Sequence, residues 1–413
     1  MDFSFTSDQL LIRDTVRQFM ETEVRPILRE YDRAGKFPAM ELRRLGELGC
    51  CGMLIPERWG GTATDTISYV VMLEEVARVD ASFAVALSVT NSVAAVPIWR
   101  HGTDAQREKY LVPLAHGAIL GSFCLTEPQA GSDASALQTR AVRHGDHYVL
   151  NGTKSWVTNG GAAGVYLVFA RTDTDPASGS RGISTFLVEP GFAGFRVSRY
   201  EEKMGLHLSR TAELVLEDCR VPAENLLGRE GEGLKIAFGS LDGGRIGIAA
   251  QSIGIAQGAL EASVRYAKQR RTFGQPIAER QAIQWMLADM QTEIEAARAL
   301  TYRAAFLRDM DSRKKDETEG RKDGDAGAAE AAPQGRESRG PLGAASARAK
   351  LYSSEMANRV CARAVQIHGS MGFSRESDVE RFYRDARVVT IYEGTSEMQR
   401  TVIARDLLRS PAR

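Results

Sequence analysis

Apolar side chains recur at intervals of three and four through the first part of the chain. Leu10, Val16, Phe19, Met20, Val24 and Ile27 follow a Thr6-x-x-Gln9 pair that resembles a capping box, the spacing of a helix with one buried face. The stretches "ELRRLGELGC" and "SYVVMLEEVARVDASFAVALSVTNSVAAVPIW" continue in the same style, so residues 1–120 read as a helical domain. The texture then changes to short alternating or apolar runs bounded by turn residues: "HYVLNG", "VYLVFARTD", "GISTFLVEP", "FRVSRY" and "TAELVLEDCRVP". These predict a β-domain over residues 121–232. Helical periodicity returns after "GREGEG", with Ile283, Leu287, Met290, Ile294 and Ala297 forming the stripe of a helix packed on others. Residues 233–413 therefore read as a second helical domain, and the whole as an α+β multidomain chain with a β-barrel or sandwich in the middle.

Residues 311–341 contain no Val, Ile, Leu, Met or aromatic side chain. Such a stretch buries too little surface to offset chain entropy, and it reads as a disordered insertion between two helices. Helix resumes near Ala344 and runs toward His368.

Lys plus Arg and Asp plus Glu number 53 each in 413 residues. That balance leaves no basic surplus for phosphates and no polybasic membrane address, so nucleic acid and membrane are not expected partners. Cys50, Cys51, Cys124, Cys219 and Cys361 make an odd set without CxxC spacing, which reads as reduced thiols in a cytoplasmic protein. No signal-peptide pattern opens the chain, and no long uninterrupted apolar run follows. His144 and His147 flank a predicted hairpin turn in "RHGDH", where a turn accounts for them better than a metal does.

Three stretches contradict their own local pattern. "FCLTEPQAGSD", residues 123–133, gathers Gly131, Thr126 and Ser132 around a proline; its hydroxyls and amides suit a pyrophosphate or a flat heterocycle, and equally a plain turn. "LDGGRIG" places Gly243 and Gly244 inside a helical stretch, where each costs about 1 kcal/mol relative to Ala. Either tight helix packing or a ligand lies against that face. In "TIYEGTSEMQR", both Thr390-x-x-Glu393 and Ser396-x-x-Gln399 fit a capping box. The second lies nearer the apolar stripe of Met398, Val402 and Leu407, which leaves Glu393 outside the helix. No G-x-G-x-x-G after a strand, no G-x-S-x-G and no P-loop is present.

Seven stretches in order, "FCLTEPQAGSDAS", "NGTKSWVTNG", "LDGGRIGIAAQSIGIAQGALE", "QRRTFGQPIAERQAIQWMLADM", "AVQIHGSMGF", "ERFYRDAR" and "IYEGTSEMQR", resemble the acyl-CoA dehydrogenase family, and more narrowly its short-chain and short-branched-chain members. The resemblance implies a C-terminal four-helix bundle, FAD between it and the β-domain, and a homotetramer. It places Phe123, Leu125 and Thr126 at the flavin ring, Ser132 near cofactor and thioester, and Trp156 and Thr158 beside the isoalloxazine. Arg270, Gln281, Gln366, Gly369 and Ser370 would reach a neighbouring subunit's FAD; Ser370 stands where the family usually has glycine. Thr395, Ser396 and Glu397 would touch the cofactor near the base, and Asp242, Arg245 and Gly394 the acyl-CoA substrate.

The implied reaction removes hydrogens from the α and β carbons of a short straight or branched acyl-CoA. It needs a base for the α-proton and a hydride acceptor, which only a cofactor provides. The resemblance makes Glu393 the base. Burial raises the pKa of such a group from about 4.3 toward neutrality, against the opposing pull of the nearby helix start. Relatives that carry the base on the helix just before the arginine would have it at Gly244, which cannot accept a proton. Electrons would pass to an electron-transferring flavoprotein. The alternatives are an acyl-CoA oxidase or flavin monooxygenase of the same build, and a non-catalytic helical scaffold.

Overall fold

The computed structural model describes residues 4–320 and 341–409. The first part is helical: α1 (Ser7–Phe19), α2 (Leu28–Ala34), α3 (Ala39–Glu47), α4 (Thr66–Val79), α5 (Ala81–Ser88), α6 (Val96–His101), α7 (Asp104–Gln106) and α8 (Val112–Ala115). The capping box at the head of α1 forms in both directions, Thr6 Oγ1 accepting from the Gln9 amide and Gln9 Oε1 from the Thr6 amide. Ala81–His101, continuous through a π-helical turn, has the length and mean hydropathy (1.6) of a membrane span, yet 94% of its apolar window is buried inside the fold. It is a core helix, apolar because it is surrounded.

The middle part is one sheet of eight strands in the order β6-β7-β3-β2-β4-β5-β8, with β1 parallel to β4. The strands are β1 (Leu120–Cys124), β2 (Arg140–His144), β3 (His147–Thr158), β4 (Ala163–Arg171), β5 (Ile183–Val188), β6 (Phe195–Tyr200), β7 (Thr211–Pro222) and β8 (Leu226–Leu227). β2 and β3 form the hairpin expected at "RHGDH", turning at Gly145 with φ +62°, and His144 pairs with His147 across it. β3 departs from regular register between Lys154 and Val157. The irregularity includes Trp156, at φ +58°, and such a bulge re-aims a side chain out of the pleat.

α9 (Gly233–Gln269) leads into the last part, followed by the short β9 (Arg271–Thr272) and β10 (Gln275–Pro276), then α10 (Gln281–Gly320), α11 (Pro341–His368), α12 (Asp378–Ala386) and α13 (Ser396–Arg409). α9 is buried on most of its circumference because α4, α10 and α11 all pack on it. α10 continues to Gly320, so the first ten residues of the 311–341 stretch are helix, not loop; residues 321–340 lie outside the described residues. Lys, Glu and Arg are good helix formers and can extend a helix without apolar side chains.

One polar cluster ties the three parts together. Asp32 of α2 pairs with His207 Nδ1 at 3.0 Å, in the loop between β6 and β7, and with Arg384 Nη2 of α12 at 3.1 Å. Beside it, Asp385 accepts from the Leu206 amide at 2.6 Å, and Arg381 pairs with buried Asp80 at 2.6 Å.

Candidate active site

Residues 391–395 cross from a 3-10 turn into α13, and the entry is capped by Thr395, whose Oγ1 accepts from the Met398 amide at 3.3 Å. The expected Ser396-x-x-Gln399 box does not form. The Ser396 hydroxyl is buried without a hydrogen-bond partner among the described residues, and the Gln399 amide turns back to donate to the carbonyls of Glu393 and Gly394 at 3.3 and 3.0 Å. Glu393 does stand outside the helix, as the sequence predicts.

Its backbone is left-handed, φ +52°, and Gly394 follows at +89°. For a non-glycine residue this costs about 1–2 kcal/mol, so the loop must be held. Besides Gln399, Lys350 Nζ of α11 donates to the Gly394 carbonyl at 2.7 Å. The Tyr392 hydroxyl donates to Gln251 of α9, whose amide is fixed on the Ala81 carbonyl at 2.8 Å.

These anchors deliver the Glu393 carboxylate against α9. Glu393 as a whole is half-buried, but its Oε2 is sealed from solvent and has no hydrogen-bond partner among the described residues. A Cβ at Gly244 would lie 2.6 Å from that oxygen, and one at Gly243 would lie 3.0 Å from the Arg308 guanidinium of α10. Protein side chains thus explain both helix-interior glycines without calling on a ligand. Asp242 and Arg245 flank them as a buried pair, Nη1 to Oδ1 3.1 Å, with Ser346 Oγ donating to the same carboxylate oxygen at 2.8 Å.

Burial pushes the Glu393 carboxyl up to about 7, against the pull of the Arg245 and Lys350 cations. A base near neutrality is the proper match to proton abstraction at physiological pH. Lys350 is driven the other way, down to about 8, by burial, and the Glu393 charge opposes that shift.

The β-domain contributes a second group of side chains. Ser155 N donates to the Thr126 carbonyl at 2.9 Å, and Ser122 Oγ of β1 donates to the Thr158 carbonyl. These contacts bring the segment holding Phe123, Leu125 and Thr126 beside the one holding Trp156 and Thr158. Beneath them Lys154 and Glu127 form a buried ion pair at 2.6 Å. Glu127 also accepts from the Gln138 and Thr139 amides at 2.6 and 3.0 Å, which pins the loop carrying Ser132. Ser132 is exposed, and Gly131 has nothing within 4 Å of an added Cβ.

Arg270, Gln281, Gln366, Gly369 and Ser370 are all exposed. Arg270 caps α9, and Tyr266 stacks on His368 at 4.2 Å, so the ends of α9 and α11 meet. Along α9, Arg270 is 26 positions beyond Gly244, about 39 Å at 1.5 Å per residue. This second group is therefore remote from Glu393 of the same chain.

Residues 6–118, 122–219 and 231–322 with 326–408 match the N-terminal, middle and C-terminal domains of acyl-CoA dehydrogenase. The chain belongs to the acyl-CoA dehydrogenase family. It is 43% identical to the short-chain specific acyl-CoA dehydrogenase of Clostridium acetobutylicum, over 99% of this chain and 100% of the relative. It is 44% identical to an acryloyl-CoA reductase (NADH) of Anaerotignum propionicum, over 99% and 96%. Butyryl-CoA dehydrogenase of Megasphaera elsdenii superposes with TM-score 0.89 at 44% identity, covering 99% of this chain and 100% of that one. A chain from a structure of the electron transferring flavoprotein of Acidaminococcus fermentans gives 0.90 at 46%, covering 99% and 100%. An acyl-CoA dehydrogenase of Bacillus anthracis, solved with FAD, gives 0.86 at 35%, covering 98% and 69%.

The cofactor of this acyl-CoA dehydrogenase is FAD, and the residues present fit it. Trp156, 60% exposed on its bulge, offers an aromatic face, and the buried unpartnered Ser396 hydroxyl at the head of α13 calls for a polar partner. Sequence reasoning missed Lys350, Arg308 and Gln251, and read Gln399 as a capping partner where it instead holds the Glu393 and Gly394 carbonyls. For Lys350 a signal existed: Ser346, Ala347, Ser353 and Ser354, three and four residues away on α11, leave room around a long side chain. Arg308 and Gln251 had none, because their partners lie far away in sequence.

Proposed function

We propose that this acyl-CoA dehydrogenase converts a short-chain acyl-CoA, straight or branched, to the trans-2-enoyl-CoA, with Glu393 taking the α-proton. The observation that carries this reading is the Glu393 Oε2 atom, buried, unpartnered and pressed to the bare backbone of Gly244. A sealed carboxylate without a donor is costly to keep, and an acidic C–H brought opposite it gives that cost a use. When bound, FAD supplies the hydride acceptor. Phe123, Leu125, Thr126, Ser132, Trp156, Thr158, Thr395, Ser396 and Glu397 would hold it, and Asp242, Arg245 and Gly394 would line the thioester side. Gly244 adds no bulk beside the base, and the 43% identical relative is named short-chain specific; both favour a short acyl group.

The remoteness of Arg270, Gln281, Gln366, Gly369 and Ser370 from Glu393 favours their serving a neighbouring copy's cofactor. Phe273 and Phe373, 96% and 88% exposed near the same ends of α9 and α11, supply apolar surface for that contact. We assign a homotetramer, an electron-transferring flavoprotein as acceptor, and a cytoplasmic location; the five free, buried cysteines suit a reducing compartment.

The test is Glu393→Gln. The purified variant is expected to keep its yellow colour and to lose anaerobic bleaching by butyryl-CoA, by about 10²–10⁴-fold in rate. Bleaching at the wild-type rate removes Glu393 from the reaction, and an acyl-CoA panel then ranks chain length and branching.

A further inference from the structure

Lys350 is wholly buried in α11 among small residues, and its hydrogen bond goes to the Gly394 carbonyl at 2.7 Å. That oxygen already has a neutral donor, the Gln399 amide at 3.0 Å. The loop carbonyl thus has two donors, and the ammonium is the more costly of them to bury. Arg245, the other cation near Glu393, is tied to the Asp242 carboxylate, which cancels much of its charge. Lys350 is bound only to a carbonyl among the described residues, so its charge is left to act on the neighbouring carboxylate.

We infer that Lys350 is a positioning residue whose uncancelled charge, delivered behind the Gly394 carbonyl, keeps Glu393 ionised while the Glu393 loop is held in its left-handed turn. This rests on the reading of Glu393 as base and deepens it.

The charged and titratable groups around Glu393 support the assignment. From α9 it feels Arg245 and from α11 Lys350, both favouring the anion; Tyr69 of α4 and Tyr392 of its own loop are neutral neighbours whose ionisation the Glu393 charge opposes. Glu397 of α13 and Glu355 of α11 act on Lys350 and help keep it protonated. Arg308 of α10 is lowered by burial, which Tyr69, Asp309 and Asp242 oppose. Without Lys350, desolvation of Glu393 is opposed by a paired Arg245 alone. An opposite charge nearby commonly lowers a carboxyl by about one unit or more, so its loss moves the base upward by about one unit, and the proton stays on at neutral pH.

Three variants separate charge from contact: Lys350→Gln keeps a donor without the charge, Lys350→Met removes both, and Lys350→Arg keeps the charge. In each holoenzyme, the protonated-carboxyl infrared band assigned to Glu393 by its absence in Glu393→Gln is titrated without substrate, alongside the pH profile of anaerobic bleaching. The expected result is an upward move of band and acid limb by about one pH unit in the Gln and Met variants and none in Arg. If either neutral variant fails to fold, the other decides. A band that titrates at the wild-type pH in a neutral variant, with bleaching slowed equally at every pH, makes Lys350 merely structural and overturns the inference. If wild-type enzyme shows no acyl-CoA-dependent bleaching, the reaction assigned above fails instead, and the infrared titration still reports on Lys350.

Discussion

Gly244 and Glu393 share one volume: a Cβ on the glycine would lie 2.6 Å from Oε2 and 3.0 Å from Cδ of the glutamate. Neither position is independent of the other, although 149 residues separate them (393 − 244).

Gly244→Ala is therefore expected to displace the carboxylate rather than unfold the helix, because alanine is the better helix former. A misplacement of about 1 Å costs on the order of 10²-fold in rate, to be read as slowed anaerobic bleaching with FAD content unchanged. Gly243→Ala meets the guanidinium end of the Arg308 side chain at 3.0 Å and not Glu393, and its rate is expected to stay within about tenfold of wild type.

The Glu393 carboxyl is raised in the folded protein from 4.5 to about 7, which makes stability depend on pH. Below the unfolded value both states hold the proton and no penalty exists. As pH rises through the interval, the unfolded chain ionises first, and the folded state loses up to about 3 kcal/mol. Glu393→Gln should match wild type in urea unfolding at about pH 3.5, below the unfolded value, and exceed it by up to about 3 kcal/mol at about pH 8. A constant difference at both would contradict the assigned burial.

Asp32 shows the opposite sign. Burial raises its carboxyl, but His207 and Arg384 outweigh that and hold it down to about 2. Its contribution is present above the unfolded value near 4 and lost as pH falls toward about 2, so Asp32→Asn should cost about 2 kcal/mol at neutral pH. His207 is raised by the same partner; its share is present below its ordinary value and fades as pH climbs past the raised one. Urea midpoints across pH check both limbs.

Lys154→Met leaves Glu127 buried without its cation, and breaking such a pair costs about 3–5 kcal/mol. The loop that Glu127 pins carries Ser132, so FAD retention after dialysis should fall together with the melting temperature. Replacing both partners by apolar residues should recover part of the stability without restoring the loop.

The layers of this fold were legible because period is a local property. The alternation in "TAELVLEDCRVP" became β7, and the stripe from Ile283 to Ala297 became part of α10. The position of Glu393 outside α13 could be read from two competing boxes, but the cap itself could not. Thr395 and Ser396 are adjacent hydroxyls, and backbone angles decide between them. Residues 311–320 were misread because a lack of apolar side chains is no bar to helix formation. The small residues around Lys350 on α11 announced a buried long side chain, but not its acceptor, a backbone carbonyl 44 residues away.

The contact at Gly244 has a steric corollary. One helical and one looped stretch of chain converge on a single point, so a side chain there can be borne by either of them but not by both at once.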